Sequence, residues 1–127
     1  MGRTFQTALA VFLGGVAGSS LRFAVGELLV GVGWSATAPV LVVNLLGALC
    51  LGWFAERARH AAPWSTPVIA FVGVGLLGSF TTFSAFRVET VALLRSGAWL
   101  FGVGYVVISL VGGFIAAKQG RMLASRP

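Results

Sequence analysis

Four long apolar runs constrain the fold of this 127-residue chain more than any other feature. The runs cover approximately Phe5–Gly26, Ala38–Phe54, Pro67–Phe86 and Ala98–Ala117. A helix needs about 20 predominantly apolar residues to cross the hydrocarbon core of a bilayer, and each run is close to that length. Only 9% of the residues are charged, whereas a soluble domain has about 25%. We therefore predict an all-α integral membrane four-helix bundle in which residues 1–127 form a single transmembrane domain.

The first run follows Arg3 and contains small residues, as a cleaved secretory signal would. It is longer than the apolar core of a signal, however, and it continues through Gly14, Gly15 and Gly18 without a clear processing site. We interpret it as a retained span. Four spans leave no room for a water-soluble catalytic domain, so we expect a function within the membrane and no enzymatic activity. So small a bundle has little interior of its own, which favours oligomerisation as a symmetric dimer.

The net charge of +6 comes from basic residues near the span ends, where they suit membrane anchoring and do not form a nucleic-acid-binding stripe. One side of the predicted bundle carries Arg3, Arg57, Arg59, Lys118, Arg121 and Arg126, and the other carries Arg95, with Arg22 and Arg87 near span ends. An excess of basic residues marks the cytoplasmic side, which favours cytoplasmic termini. Tryptophans also lie near the predicted span ends, as in an interfacial aromatic belt: Trp34, Trp53, Trp64 and Trp99.

Several kinds of site lack the residues that they need. The chain has no aspartate, and Glu27, Glu56 and Glu89 fall at or near the predicted span ends, so no carboxylate for proton coupling is visible at mid-span. His60 stands alone in a predicted loop without a Cys or acidic partner, which argues against a transition-metal site. Cys50 is the only cysteine and forms no intrachain disulfide. No nucleophile has an adjacent base.

Asn44 is an uncharged polar residue in the middle of the second apolar run. An amide that is left unpaired in lipid costs several kcal/mol, so this side chain must face protein, water or a solute. A hydrogen bond between helices and a contact with a transported solute both satisfy that requirement. Gly47, one turn further on, would allow a neighbouring helix to approach closely.

The third run combines glycines, hydroxyl residues and phenylalanines. Gly73, Gly75 and Gly78 loosen the helix, and the hydroxyls of Ser79, Thr81 and Thr82 can bond freed carbonyls, so we predict a break near residues 78–81. Backbone carbonyls at such a break can hold a small cation. Phe80, Phe83 and Phe86 recur every three residues along one helical face. This spacing is common in plain packing, but phenyl edges carry positive quadrupole and can contact an anion. Tyr105 and Ser109 add hydroxyls one turn apart in the fourth run.

Three segments resemble, in order and spacing, the Fluc/CrcB fluoride channels: residues 14–23 (GGVAGSSLRF), 43–47 (VNLLG) and 78–84 (GSFTTFS). The resemblance covers the first three helices, and the third segment is its most specific part. It implies a broken third helix and an antiparallel, dual-topology homodimer. It also implies two separate pathways for passive fluoride export from the cytoplasm, in the bacterial plasma or inner membrane, which reduces fluoride toxicity.

The resemblance further implies a role for individual residues. Asn44 would be an amide donor in the anion pathway, Phe83 and Phe86 its aromatic edges, and Tyr105 and Ser109 its polar rail. The backbone carbonyls of Gly78 and Thr81 would hold a structural sodium ion at the dimer axis. Arg22 would have a structural role, either binding carbonyls or anchoring the first helix at the interface.

Two other functions remain open from the residues alone. A small four-helix multidrug or proton-coupled exporter would require an essential carboxylate within the membrane. A non-transporting membrane assembly subunit would use Asn44 and the phenylalanines only for packing. Composition also does not separate fluoride from chloride as the solute.

Overall fold

A computed structural model describes residues 2–35, 37–60 and 64–125 of the chain. These residues are all-helical, and four stretches are long and apolar enough to cross a membrane: Arg3–Gly31, Ala38–His60, Thr66–Arg95 and Trp99–Ala124. The prediction of four membrane-spanning helices is thus confirmed. Each stretch runs further toward its C-terminal end than the apolar run indicated. Arg126, one of the basic residues assigned to the side of the termini, lies outside the described residues.

The first, second and last stretches are continuous helices: α1 is Arg3–Gly31, α2 is Ala38–His60 and α6 is Trp99–Ala124. The third stretch is composite. It begins with α3 (Thr66–Ile69), continues as a π-helical segment (Ala70–Leu77) and ends its first half with α4 (Gly78–Phe80). Its second half is α5 (Phe83–Arg95). We call the two residues between α4 and α5 the Thr81–Thr82 link.

The link has extended backbone, with φ −80° and ψ 157° at Thr81 and φ −146° and ψ 117° at Thr82. Its position corrects one expectation, because Phe80 precedes the link and is buried, whereas Phe83 follows it and is 70% exposed. The three phenylalanines therefore do not form one stripe.

The length of α5 corrects another expectation. The sequence predicts that the third span ends at Phe86 and that Glu89 lies near this end. In the structure α5 continues to Arg95. Glu89 therefore lies inside a membrane-spanning stretch. The apolar run ended early in the sequence because Arg87 and Glu89 interrupt it, although both residues are helical.

Two helix pairs form most of the packing, α2 with α6 and α1 with the π-helical segment. Both pairs approach closely at glycines. A Cβ at Gly18 of α1 would overlap the carbonyl oxygen of Leu76, and a Cβ at Gly52 of α2 would overlap the carbonyl oxygen of Ala117. Such contacts are typical of membrane helices, where small residues let the backbones of neighbouring helices meet. Many large apolar side chains remain exposed on the outer faces.

The alternating direction of the helices places the N-terminus of α1 and the C-termini of α2 and α6 at one end of the bundle. The described basic residues of that end are Arg3, Arg57, Arg59, Lys118 and Arg121. At the opposite end, α1 and α5 stop at turns that contain Gly33 (φ 89°) and Gly97 (φ 81°), the left-handed conformation that glycine adopts without strain. The unequal distribution of charge seen in the sequence is therefore also present in the fold.

Candidate functional site

Asn44 binds the backbone of the Thr81–Thr82 link from the neighbouring helix α2. Its Nδ2 donates to the carbonyl oxygen of Thr82 at 3.0 Å, and its Oδ1 accepts from the backbone N–H of Thr82 at 2.8 Å. The backbone N–H of Thr81 keeps a helical hydrogen bond to the carbonyl oxygen of Leu77 at 3.2 Å, but Thr82 forms no backbone–backbone hydrogen bond among the described residues. Unpaired backbone groups at membrane depth cost several kcal/mol each. The Asn44 amide thus takes the place of the missing backbone partners.

Glycine at position 47 lets α2 approach the link. A Cβ at Gly47 would overlap the side-chain methyl group of Thr81, so any larger residue would push α2 away from the link. Because Gly47 lies one turn beyond Asn44, the two residues act together, one by its size and the other by its amide. The close approach predicted from Gly47 is present here.

The hydroxyls of the link form hydrogen bonds at the adjoining ends of α4 and α5 and of the segment before α4. Thr82 is buried, and its Oγ1 accepts from the backbone N–H of Ala85 at 3.2 Å, which makes Thr82 the N-cap of α5. Thr81 Oγ1 donates to the carbonyl oxygen of Leu77 at 3.1 Å. The prediction that the hydroxyls bond freed carbonyls is not met at these two residues: the Leu77 carbonyl oxygen also accepts from the backbone N–H of Thr81, and Thr82 Oγ1 accepts from an N–H.

Arg22 reaches the link from α1. Its Nη1 donates to the carbonyl oxygen of Thr81 at 3.4 Å. Gly78 and Thr81 both line a cavity of about 320 Å³, which Asn44 and Phe83 also line. These carbonyl oxygens are the hard, neutral ligands that broken membrane helices offer to small cations, so the residues fit the implied sodium ion in chemistry. The Thr81 carbonyl oxygen also accepts from the Arg22 guanidinium, so a cation bound there would share this oxygen with a positive charge.

Three aromatic rings lead away from the link between α5 and α6. The centroids of Phe83 and Phe86 lie 5.7 Å apart, and those of Phe86 and Tyr105 lie 5.4 Å apart. We call these three residues the aromatic row. Phe83 is 70% exposed and Tyr105 only 8%, so the row runs from the molecular surface into the bundle.

Polar atoms continue the row at its buried end. The hydroxyl of Tyr105 donates to Glu89 Oε2 at 2.7 Å. One turn further along α6, the hydroxyl oxygen of Ser109 is buried and has no hydrogen-bond partner among the described residues. A buried hydroxyl without a partner is rare in proteins and requires an explanation such as a water molecule or an ion.

The fold brings most of the predicted residues into two connected groups. Asn44 and Arg22 meet at the link with Thr81, while the aromatic row holds Phe83, Phe86 and Tyr105 beside Ser109. Phe83 joins the groups because it lines the same cavity as Asn44.

Sequence reasoning missed Glu89 and the capping role of Thr82. Glu89 lies three residues after Phe86, so it would share a face with Phe86 if the helix continued. That spacing was the available signal. Thr82 three residues before Ala85 is likewise the spacing of an N-cap.

Known proteins resemble this chain over nearly its whole length. The model of the family described as CrcB-like protein, Camphor Resistance (CrcB), matches residues 9–121. Fluoride-specific ion channel FluC 2 of Listeria monocytogenes serotype 4b (strain F2365) is 40% identical over 112 residues, which cover 88% of this chain and 85% of that protein. The protein of the same name from Symbiobacterium thermophilum is 42% identical over 121 residues, covering 91% of this chain and 95% of that protein. Fluoride-specific ion channel FluC of Pseudomonas fluorescens (strain SBW25) is 40% identical over 125 residues, which cover 94% of this chain and 97% of that protein. The chain is therefore a multi-pass membrane protein that belongs to the CrcB-like protein family.

Proposed function

We propose that this chain forms a fluoride-selective ion channel that exports fluoride passively from the cytoplasm and so reduces its toxicity. The observation that carries the proposal is a series of uncharged polar groups and aromatic rings within the membrane-spanning stretches: Asn44, Phe83, Phe86, Tyr105 and Ser109. The similar proteins of three bacteria named above as fluoride-specific ion channels support the choice of solute.

The chemistry of this series suits a small anion that must be bound and then released. Asn44 has two N–H groups on Nδ2 and donates one of them to Thr82, so the second is free to donate to an anion. The phenyl edges of Phe83 and Phe86 add weak positive potential without a full charge. Ser109 offers a hydroxyl whose hydrogen has no acceptor among the described residues. Weak, repeated sites of this kind allow an ion to enter and to leave quickly.

The proposal includes an assembly, an antiparallel, dual-topology homodimer of single transmembrane domains. In it the Thr81–Thr82 link is the functional break of the third helix. The carbonyl oxygens of Gly78 and Thr81 from both copies would hold a structural sodium ion at the dimer axis, where its charge would stabilise the joined breaks. Arg22 has a structural role in this scheme, because it binds the carbonyl of Thr81 from α1. The extensive exposed apolar surface leaves room for both a second copy and lipid.

One observation favours a second candidate, a proton-coupled exporter. Such an exporter needs a carboxylate within the membrane, and Glu89 lies inside a membrane-spanning stretch next to Tyr105. The channel proposal differs in what drives the flux, since a channel follows the electrochemical gradient of fluoride and needs no proton gradient.

The test is ion efflux from liposomes that contain only the purified protein. We expect fluoride efflux down its gradient, with chloride efflux at least tenfold slower, and no change when a proton gradient is imposed or collapsed at constant membrane potential. Equal chloride efflux would contradict selectivity. Efflux that requires the proton gradient and is lost in Glu89→Gln would favour the exporter, and no efflux at all would favour the assembly subunit.

A further inference from the structure

A second polar face of α5 lies beside the aromatic row and takes no part in it. Ser84, Arg87, Val88, Val91 and Arg95 recur at helical spacing, so they share one side of the helix. Together with Ala92 they line an open cavity of about 560 Å³. Phe86 and Glu89 instead face α6, where both contact Tyr105: Phe86 through its ring and Glu89 through a hydrogen bond.

Arg87 places a full positive charge on this face, about two turns before the end of α5. Arg87 lies eight residues before Arg95, the last residue of α5, which corresponds to about 12 Å along the helix axis. The stretch Thr66–Arg95 has 30 residues, which is about 45 Å of helix against a hydrocarbon core of about 30 Å, so Arg87 lies toward the edge of the core. An exposed arginine there is costly unless it faces water or an oppositely charged group. Arg87 is exposed on the surface of the single chain.

No carboxylate neutralises this face within the part of the chain that the structure describes. The contacts found there between acidic and basic side chains both belong to Glu56, which lies 3.1 Å from Arg121 and 3.2 Å from His60 at the other end of the bundle. Glu89 is on the adjacent side of α5 and accepts from Tyr105. Arg87 and Arg95 therefore have no ion-pair partner among the described residues, and their charge is available to a mobile anion.

We propose that Ser84, Arg87 and Arg95 form a water-filled anion-recruiting site that supplies the aromatic row. Its occupants are water and small inorganic anions, fluoride among them. Arg87 lies one turn beyond Phe83, the exposed first ring of the row, so an anion held near the guanidinium is one step from the pathway. This inference rests on the proposed function and adds to it the means by which the anion is concentrated at one entrance.

The physical effect of such a site is electrostatic. Clefts lined by one sign of charge raise the local concentration of the opposite ion and accelerate its entry. Arginine suits the task because its delocalised charge is weakly hydrated, and the wide cavity lets the anion keep part of its water shell. The effect must fade as salt screens it, since the Debye length falls from about 30 Å at 0.01 M to about 3 Å at 1 M.

The test compares Arg87→Gln with the wild type in fluoride efflux from liposomes of neutral lipid, with ionic strength set by impermeant gluconate. We expect Arg87→Gln to reduce the initial efflux about threefold or more at roughly 10 mM ionic strength and to match the wild type near 1 M. Arg87→Lys should keep most of the rate because it keeps the charge. Arg95→Gln should show the same salt dependence with a smaller loss, and it provides a second variant if Arg87→Gln does not fold.

Arg59→Gln is the control for overall charge, since it removes the same charge from an exposed arginine of α2, outside the proposed site. An equal loss in this control would show that overall charge sets the rate, and it would overturn the site. A loss in Arg87→Gln that does not depend on salt would assign Arg87 to packing and overturn it also, as would a loss seen only in anionic lipid. A wild type without fluoride efflux would instead refute the proposed function on which the site rests.

Discussion

The Asn44 amide has a structural role, which is to bond the backbone of the link, and a proposed functional role, which is to donate a hydrogen bond to an anion. Both of its polar atoms bond the backbone of Thr82, which answers the question of what an asparagine could pair with in the middle of an apolar helix. The sequence established that a partner must exist, because an unpaired amide in lipid is costly. It could not identify Thr82, because that pairing depends on how α2 lies against the link, and the two bonded residues are 38 positions apart in the chain.

We predict that Asn44→Ala reduces fluoride efflux by at least tenfold and lowers stability. The substitution leaves the N–H and carbonyl of Thr82 without partners, which costs about 1–3 kcal/mol for each buried group. Efflux from liposomes and thermal unfolding in detergent measure the two effects. Leu46→Ala is the control, since it shortens a side chain of the same helix that is 47% exposed. Unchanged efflux in Asn44→Ala would remove this residue from the pathway, and unchanged thermal unfolding would show that its bonds to Thr82 add little stability.

At the level of helices, the number of spans could be predicted because apolar length is a local property. Extended backbone occurs at Thr81 and Thr82, in a segment that contains glycines and hydroxyl residues. The extent of α5 could not be predicted, because Arg87 and Glu89 resemble a span end when only local hydropathy is considered. For Glu89 the missing information is its tertiary partner, Tyr105 on α6, whose hydroxyl bonds the Glu89 carboxylate.

The contact between α1 and the π-helical segment offers a prediction at the same scale. Gly18→Ala should destabilise the protein by about 1–3 kcal/mol, because a Cβ would overlap the carbonyl oxygen of Leu76 and the two backbones would have to separate. Gly26→Ala is a matched control on the same helix, where a Cβ would meet no atom within 4 Å. We expect the control to stay within about 1 kcal/mol of the wild type. Thermal unfolding in detergent compares the two, and equal shifts would mean that the close contact is unimportant.

For the whole molecule, the distribution of basic residues and the proposed antiparallel dimer favour different orientations of the chain in the membrane. One end of the described bundle carries Arg3, Arg57, Arg59, Lys118 and Arg121, while the other end carries Arg95. The positive-inside rule acts through such a difference and favours one orientation. An antiparallel dimer of identical chains requires both orientations in the same membrane. The proposed dimer can therefore form only if some chains insert in each orientation despite the unequal number of basic residues at the two ends. Measuring the orientation of the chain is the most direct test of this assembly.

We predict that both orientations occur in the cell membrane. In a Cys50→Ala background, which has no other cysteine, Ser96→Cys and Ser125→Cys place single thiols at opposite ends of the bundle. If the chain inserts both ways, a membrane-impermeant maleimide applied to intact cells should label about half of each variant. Labelling after permeabilisation provides the total and controls for thiol reactivity. Complete labelling of Ser96→Cys with none of Ser125→Cys would mean that the basic residues fix the termini in the cytoplasm. The antiparallel homodimer would then be excluded, while selective fluoride efflux by a dimer of parallel chains would remain to be measured independently.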